Sequence, residues 1–481
     1  MMSKKHRDNT KKRVMGALAL AVVAASIICI VCLVCGRTHK VHITGSSVTY
    51  YIDNEEYVFN SEPYICDMEV YLPVADILSS YGYTCTWNDD TQTLVISDEK
   101  KSTDMAVDKN TLVTNGKSYE FKLPVMKMSG VVYMPSEMFN HFSDDELVMA
   151  GEFKYVERPH RDLLEDTYID DTYRMSGSVS RYNGVYVVDN KAAMELLYYP
   201  EDNCKGYAQV INNIAEALPE VNIFNIVIPT ITEFYGPEEI YTDQISGIRT
   251  IYENLDESVM PVNVIKEMWP HADEHLYFTT DHHWTQRGAY YAYKAFIKLK
   301  CEEIADINEF PQDNVENFVG SWIYSLKGTP GESALTSNKE TMERFMPIVD
   351  YTGEVYLDMY LKNKWRDTKV IETDDDKYTT FLGGDMPIIK YTTSVKNGQK
   401  LVIIKESFGN AFATWAINNY EEVYVLDPRQ WNGFNPQSDN GEFNLVKFYN
   451  EVCQFDDLIV ISYPGSATLA MRNAISRLIG M

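Results

Sequence analysis

The chain has 481 residues, 45% of them hydrophobic and 23% charged, with a formal net charge of −27. That length exceeds a single core, so two or three domains are expected, and the composition is that of a globular protein. The acidic balance argues against nucleic acid, or any acidic polymer, as a partner held by bulk electrostatics.

In chain order, a basic tail (1–13) comes first, carrying Lys4, Lys5, Arg7, Lys11, Lys12 and Arg13. It precedes "VMGALALAVVAASIICIVCLVC", the uncharged run Val14–Cys35. Such a run crosses about 30 Å of hydrocarbon as a helix. Segment 14–36 is therefore predicted to be a single-pass membrane anchor, with the N-terminus cytoplasmic and the bulk of the chain outside. A cleaved signal peptide is the alternative, although the run is long and no A-x-A site closes it. Five cysteines come after the anchor: Cys66, Cys85, Cys204, Cys301 and Cys453. They have no C-x-x-C spacing, so zinc is not suggested; Cys66 and Cys85 flank one sheet-like segment and can pair.

Residues 37–46 read as a polar linker, and 47–150 as a β-rich module with two short helices. Turn signals at Asp53-Asn54, Asn88–Asp90 and Asn115-Gly116 separate alternating runs, the last being a strong hairpin signal. "VYLPVADIL" (70–78) returns as "VYMPSEMF" (132–139), an internal duplication. This duplication resembles the copper amine oxidase N-terminal-like domain. The resemblance implies a cell-surface spacer or binding module without copper chemistry.

Residues 151–180 are polar and read as a linker to a large domain, 181–481. There the apolar runs "GVYVVDN", "VNIFNIVIPT", "KLVIIKES", "VYVLD" and "DLIVISYP" predict strands. "GYAQVINNIAEAL" (206–218) has helical spacing. The alternation predicts an α/β fold, a mostly parallel sheet with helices on both faces and its site at the carboxyl ends of strands.

Two segments carry chemistry. In "IIKESFGNAFATWAI", Ser407 stands at a strand-to-helix turn, where free N–H groups can hold an oxyanion. A serine there is also an ordinary helix cap. In "TTDHHWTQRGAYYAY", Thr285 is a predicted N-cap, which leaves Asp281–Trp284 in an extended turn. Residues i and i+2 then share a side, so Asp281 and His283 converge while His282 points elsewhere. An aspartate orienting a histidine that activates a hydroxyl is the logic of a Ser-His-Asp triad. A metal shell drawn from His271, His275, Asp281 and His282 is the alternative, without a His-Glu-x-x-His spacing to support it.

These segments are similar to the DHHW protein family and to alginate O-acetyltransferases of the AlgX/AlgJ type, in the SGNH hydrolase superfamily. "NGVYVVDN", "NIVIPT", "FVGSWIY" (318–324), "FLGGDMP" (381–387) and "LVIIKESFGNAFATW" come in the family's order. The resemblance implies an SGNH-like doubly wound fold and a triad of Ser407, His283 and Asp281. It also implies acyl transfer or ester hydrolysis, acetyl above all, on a cell-surface glycan acceptor, possible help from a membrane acyl-transfer partner, and no cofactor or metal. Glu406 stands where the family has Asp. Asp385 stands where Asn is expected, and a carboxylate cannot donate to an oxyanion unless protonated. Gly384 and Asn410 are the remaining candidate donors, and Arg429 is either a substrate contact or a salt-bridge residue. The rival reading is a noncatalytic cell-envelope protein that binds glycan and keeps the fold.

Overall fold

The computed structural model describes residues 40–480, except 45–46, 53–54, 59–60, 62, 67–68, 89–90, 99–101, 115–116, 129, 144–145, 151–153, 156–160, 165, 301, 303 and 466–468. The predicted anchor lies outside these residues. Among the described residues no helix is long and apolar enough to cross a membrane. The chain divides into two compact units, Met1–Val156 and Glu157–Met481.

In the first unit the duplication is visible as pairing. The repeat strands Glu69–Pro73 and Val131–Pro135 lie antiparallel, with Leu72 opposite Met134. Each runs straight into a short helix: Val74–Ser79 is α-helical, Ser136–His141 is 3-10. Their apolar positions, Leu72, Val74, Ile77, Leu78, Met134, Met138 and Phe139, form one buried cluster. The hairpin signal at Asn115-Gly116 is matched by Thr111–Thr114 pairing with Lys117–Glu120, although the turn residues themselves lie outside the described residues. One expectation changes and one open question closes. Lys40–Thr44, read as linker, is a strand paired with Glu146–Ala150 and Ser47–Ile52. No disulfide joins Cys66 to Cys85.

The second unit centres on an eight-stranded sheet. Its strands in chain order are β1 (Asn222–Val227), β2 (Val259–Pro261), β3 (Tyr351–Tyr356), β4 (Lys364–Asp367), β5 (Ile388–Thr393), β6 (Lys400–Lys405), β7 (Glu422–Leu426) and β8 (Asp457–Ser462). They are arranged β2-β1-β8-β6-β7-β5-β3-β4. From β2 to β7 neighbours are parallel; β5, β3 and β4 then add antiparallel. Four of the apolar runs predicted as strands, β1, β6, β7 and β8, are parallel, because strands covered on both faces have no polar side to show; the fifth, in "GVYVVDN", is Val185–Val188 of a separate three-stranded antiparallel sheet. In the antiparallel half, β3 and β4 carry exposed positions and β5 mixes buried with half-buried ones, which made it less visible.

Three helices pack near the central strands: α1 (Glu201–Ala217), α2 (Gln286–Leu299) and α3 (Phe408–Ala416). The close approach of α3 to the sheet needs Gly409, where a Cβ would collide with Lys405 and Ile461. The stretch 161–175, part of the predicted linker, belongs to this unit. Leu164 is fully buried in its core, and Arg249 donates to the Leu164 carbonyl at 3.0 Å. Its polarity misled because the few apolar residues it has are the ones that pack.

Candidate active site

The site forms at the carboxyl end of β6, the strand between β8 and β7. Its last residue, Lys405, is followed by Glu406 and then by Ser407, where the chain turns into α3. Ser407 takes the N-cap position but makes no capping bond, so its hydroxyl is available. It is half-buried between the buried Glu406 and Phe408.

The DHHW segment is set opposite by its own turn. Thr285 caps α2, accepting from Gly288 N at 3.1 Å. Phe278 N donates to the His283 carbonyl and Thr285 N to that of Leu276, which closes the turn. Glu340 fixes the approach: its carboxylate accepts from the N–H groups of Thr279 (3.0 Å) and Thr280 (2.9 Å) and from both hydroxyls. Trp284 ties the turn to α3, donating from Nε1 to the Phe408 carbonyl at 2.9 Å.

Asp281, His283 and Ser407 then meet in line. Asp281 Oδ1 lies 2.6 Å from His283 Nδ1, and His283 Nε2 lies 2.8 Å from Ser407 Oγ. Asp281 Oδ2 accepts from Ser321 N at 2.7 Å. That approach requires Gly320, where any side chain would strike Asp281. Burial alone would raise the Asp281 carboxyl, but its pairing with His283 outweighs this and holds it well below the usual carboxylate range.

His282 is less remote than its place in the turn suggests. It makes its bond to Ser321 Oγ (Nδ1, 3.0 Å), not to Ser407, yet its ring centre is 3.8 Å from that of His283. Burial and the neighbouring His283 push its pKa down to about 4, so it stays neutral at neutral pH. The metal shell does not assemble as drawn, since His271 faces Glu274 and His275 faces Glu340. Asp281, His282 and His283 do lie within 4.8 Å of one another, but both ring nitrogens of His283 are already engaged, with Asp281 and Ser407.

The expected oxyanion donors are mostly occupied. Phe408 N donates to Glu406 Oε2 (3.1 Å), Gly409 N to the Glu406 carbonyl (2.9 Å) and Asn410 N to that of Ser407 (3.1 Å). Gly384 N donates to the Phe381 carbonyl at 3.1 Å, and Asn410 Nδ2 to Asp385 at 3.1 Å. The short first turn of α3 and the positive φ of Gly383 and Gly384 fold these groups back onto the chain. Among the described residues the Ser407 N–H has no such partner.

The two departures from the family pattern both have local explanations. Asp385 is paired with Lys405 Nζ (2.9 Å) and Arg429 (2.7 Å), and Arg429 also binds Asp427 through two nitrogens (2.6 and 2.9 Å). Burial would raise Asp385, but Lys405 and Arg429 together hold it well below its ordinary value. Glu406 caps α3 and accepts from Tyr463 N at 3.2 Å, linking the ends of β6 and β8; its Oε2 is 3.4 Å from Ser407 Oγ. Burial raises its pKa. Sequence reasoning missed Glu340, Ser321 and Tyr378, whose ring stacks on that of His283 at 3.7 Å. Ser321 lay inside a motif already recognised, "FVGSWIY"; the other two had no local signal.

The description "DHHW protein" fits residues 161–426, more than half of the chain, and the chain belongs to that family. Residues 51–144 match the copper amine oxidase N-terminal domain. A DHHW family protein from Eubacterium siraeum DSM 15702 has a similar structure at 27% identity and a TM-score of 0.56, over 63% of this chain and 97% of that one. Bacillus cereus PatB1, solved with a sulfonyl adduct, is similar at 16% identity and a TM-score of 0.48, over 62% of this chain and 97% of that one. The O-acetyltransferase domain of Pseudomonas putida AlgJ is similar at 9% and 0.31, over 61% and 92%. No curated protein matches the chain.

Proposed function

We propose that this protein is a membrane-anchored, extracytoplasmic acyltransferase or esterase of the SGNH type, doubly wound around its sheet, which adds or removes acetyl groups on a cell-surface polysaccharide. The observation that carries this reading is the continuous line Asp281–His283–Ser407, with contacts of 2.6 and 2.8 Å. Ser407 Oγ attacks the carbonyl carbon of an acyl ester while His283 Nε2 takes its proton. Asp281 holds the imidazole through Nδ1 and balances its positive charge. The proton passes from His283 to the departing alcohol, leaving acyl-Ser407. A glycan hydroxyl, or water in an esterase, then gives its proton to His283 and attacks the acyl carbon, which frees Ser407. The Ser407 N–H, without a backbone partner among the described residues, would donate to the developing oxyanion. Arg429, one-third exposed beside the site, keeps a guanidinium edge for the acceptor.

The anchor rests on the basic tail and the uncharged run after it, and the β-rich module serves as a spacer. A membrane partner delivering the acyl group fits this placement. The noncatalytic reading leaned on Asp385 and Glu406. Asp385 is balanced by two cations, and Glu406, although its Oε2 lies 3.4 Å from Ser407 Oγ, is held by the N–H groups of Phe408 and Tyr463.

The test is 4-nitrophenyl acetate hydrolysis by the full chain in detergent. Ser407→Ala and His283→Ala should each lower kcat/KM by about 10²-fold or more. Equal rates in all three proteins would overturn the enzyme reading.

A further inference from the structure

His283 is held on both faces. The Tyr378 ring lies parallel to it, at 3.7 Å and an interplanar angle of 3°, and the His282 ring covers the other side at 3.8 Å. Asp281 fixes Nδ1, but one hydrogen bond fixes a point, not a plane. The terminal torsion of a histidine is broad, so the ring can swing about that point. Contacts on its faces, from Tyr378 and His282, limit the swing. The Tyr378 hydroxyl also donates to the Ser407 carbonyl at 3.2 Å, so one side chain spans base and nucleophile.

We propose that Tyr378 is a positioning residue of the triad, whose ring fixes the plane of the His283 imidazole so that Nε2 stays aimed at Ser407 Oγ. The inference rests on the triad reading above. Its phenol does no proton chemistry: burial, with Asp281 and Glu406 near, lifts its pKa well above the ordinary value and keeps it neutral. The turn that carries it is anchored independently of the site. Glu372 N donates to the Thr380 carbonyl, and Arg344 reaches Thr380 Oγ1 at 3.3 Å while binding Asp313. The opposite ring, neutral His282, adds contact without placing a second cation beside an imidazolium. The hydroxyl lies 3.2 Å from the Ser407 carbonyl and 3.5 Å from that of Phe408, and both have other donors, Asn410 N and Trp284 Nε1. The ring, not the hydroxyl, is therefore the working part.

The experiment is steady-state hydrolysis of 4-nitrophenyl acetate by the full chain in detergent, with melting monitored in parallel. Tyr378→Phe should stay within about threefold of wild type, because the ring is kept. Tyr378→Leu should lose about tenfold or more in kcat with KM nearly unchanged, since sub-ångström misplacement acts on the chemical step. If the leucine variant does not fold, Tyr378→Met, an unbranched filler of the same space, carries the same expectation. Wild-type kcat in the aliphatic variant, or a phenylalanine variant as slow as it, would overturn the inference. Should Ser407→Ala and His283→Ala also run at the wild-type rate, the triad itself fails and this inference with it. If they are inactive while the aliphatic variant is unimpaired, only the role of Tyr378 fails.

Discussion

The large unit buries ion clusters at both ends of its central strands, and they serve different ends. At the amino end of β8, Asp457 is fully buried and accepts from Lys300 (2.6 Å), Tyr420 (2.6 Å) and Asn222 (2.9 Å). At the carboxyl end of β6, Lys405 is fully buried with Asp385 (2.9 Å) and Asp427 (3.5 Å), and Arg429 completes the set. The ingredients are nearly the same. The difference lies in the neighbouring chain. The amino-end cluster is closed by side chains, whereas the carboxyl-end cluster stands beside a strand-to-helix turn that presents Ser407. Strand direction thus separates a buried charge cluster closed on itself from one beside the proposed nucleophile.

This contrast can be broken by mutation. Asp457→Leu leaves Lys300 buried without its carboxylate, which costs about 3–5 kcal/mol of stability. The melting temperature should drop by several degrees while kcat per folded molecule stays within about twofold. A fall in kcat at unchanged melting temperature would contradict the division. Lys405→Met should act on both quantities. It leaves Asp385 and Asp427 less compensated near the serine, so kcat should fall about tenfold alongside a lower melting temperature.

The smallest expected effect concerns pH. Glu233, fully buried after the carboxyl end of β1, has its pKa raised to about 7, chiefly by burial. Its folded value exceeds the unfolded one, so the folded state holds the proton more tightly. Stability from this group is present below about 4.5 and is lost as pH rises toward 7. The melting temperature of Glu233→Gln should therefore decline less between pH 5 and 8 than that of wild type. Parallel curves for the two proteins would remove Glu233 as the cause.

How much of this could be read from the sequence depends on the range over which each signal acts. Asp281 and His283 are two residues apart, and the capped helix after them fixes the turn, so their convergence was legible. Ser407 was legible as the residue after an apolar run. Its contact with His283 spans 124 positions, and only the family resemblance joined them. Tyr378 and Glu340 were invisible, because a buried tyrosine among 34 and one glutamate in an acidic chain carry no pattern of their own. The oxyanion donors were misread because counting free N–H groups at a helix start ignores carboxylates next to it, and Glu406 takes the first. The antiparallel strands β3 to β5 escaped because their polar residues, exposed in β3 and β4 and half-buried in β5, break the apolar runs and resemble polar loop.

The most direct test of the central claim is to label the nucleophile. The full chain in detergent is treated with phenylmethylsulfonyl fluoride, and its peptides are weighed by mass spectrometry. One sulfonyl group should be found on the peptide containing Ser407 in wild type, and almost none in His283→Ala. A peptide left unlabelled in wild type, or labelled equally without His283, would contradict the account.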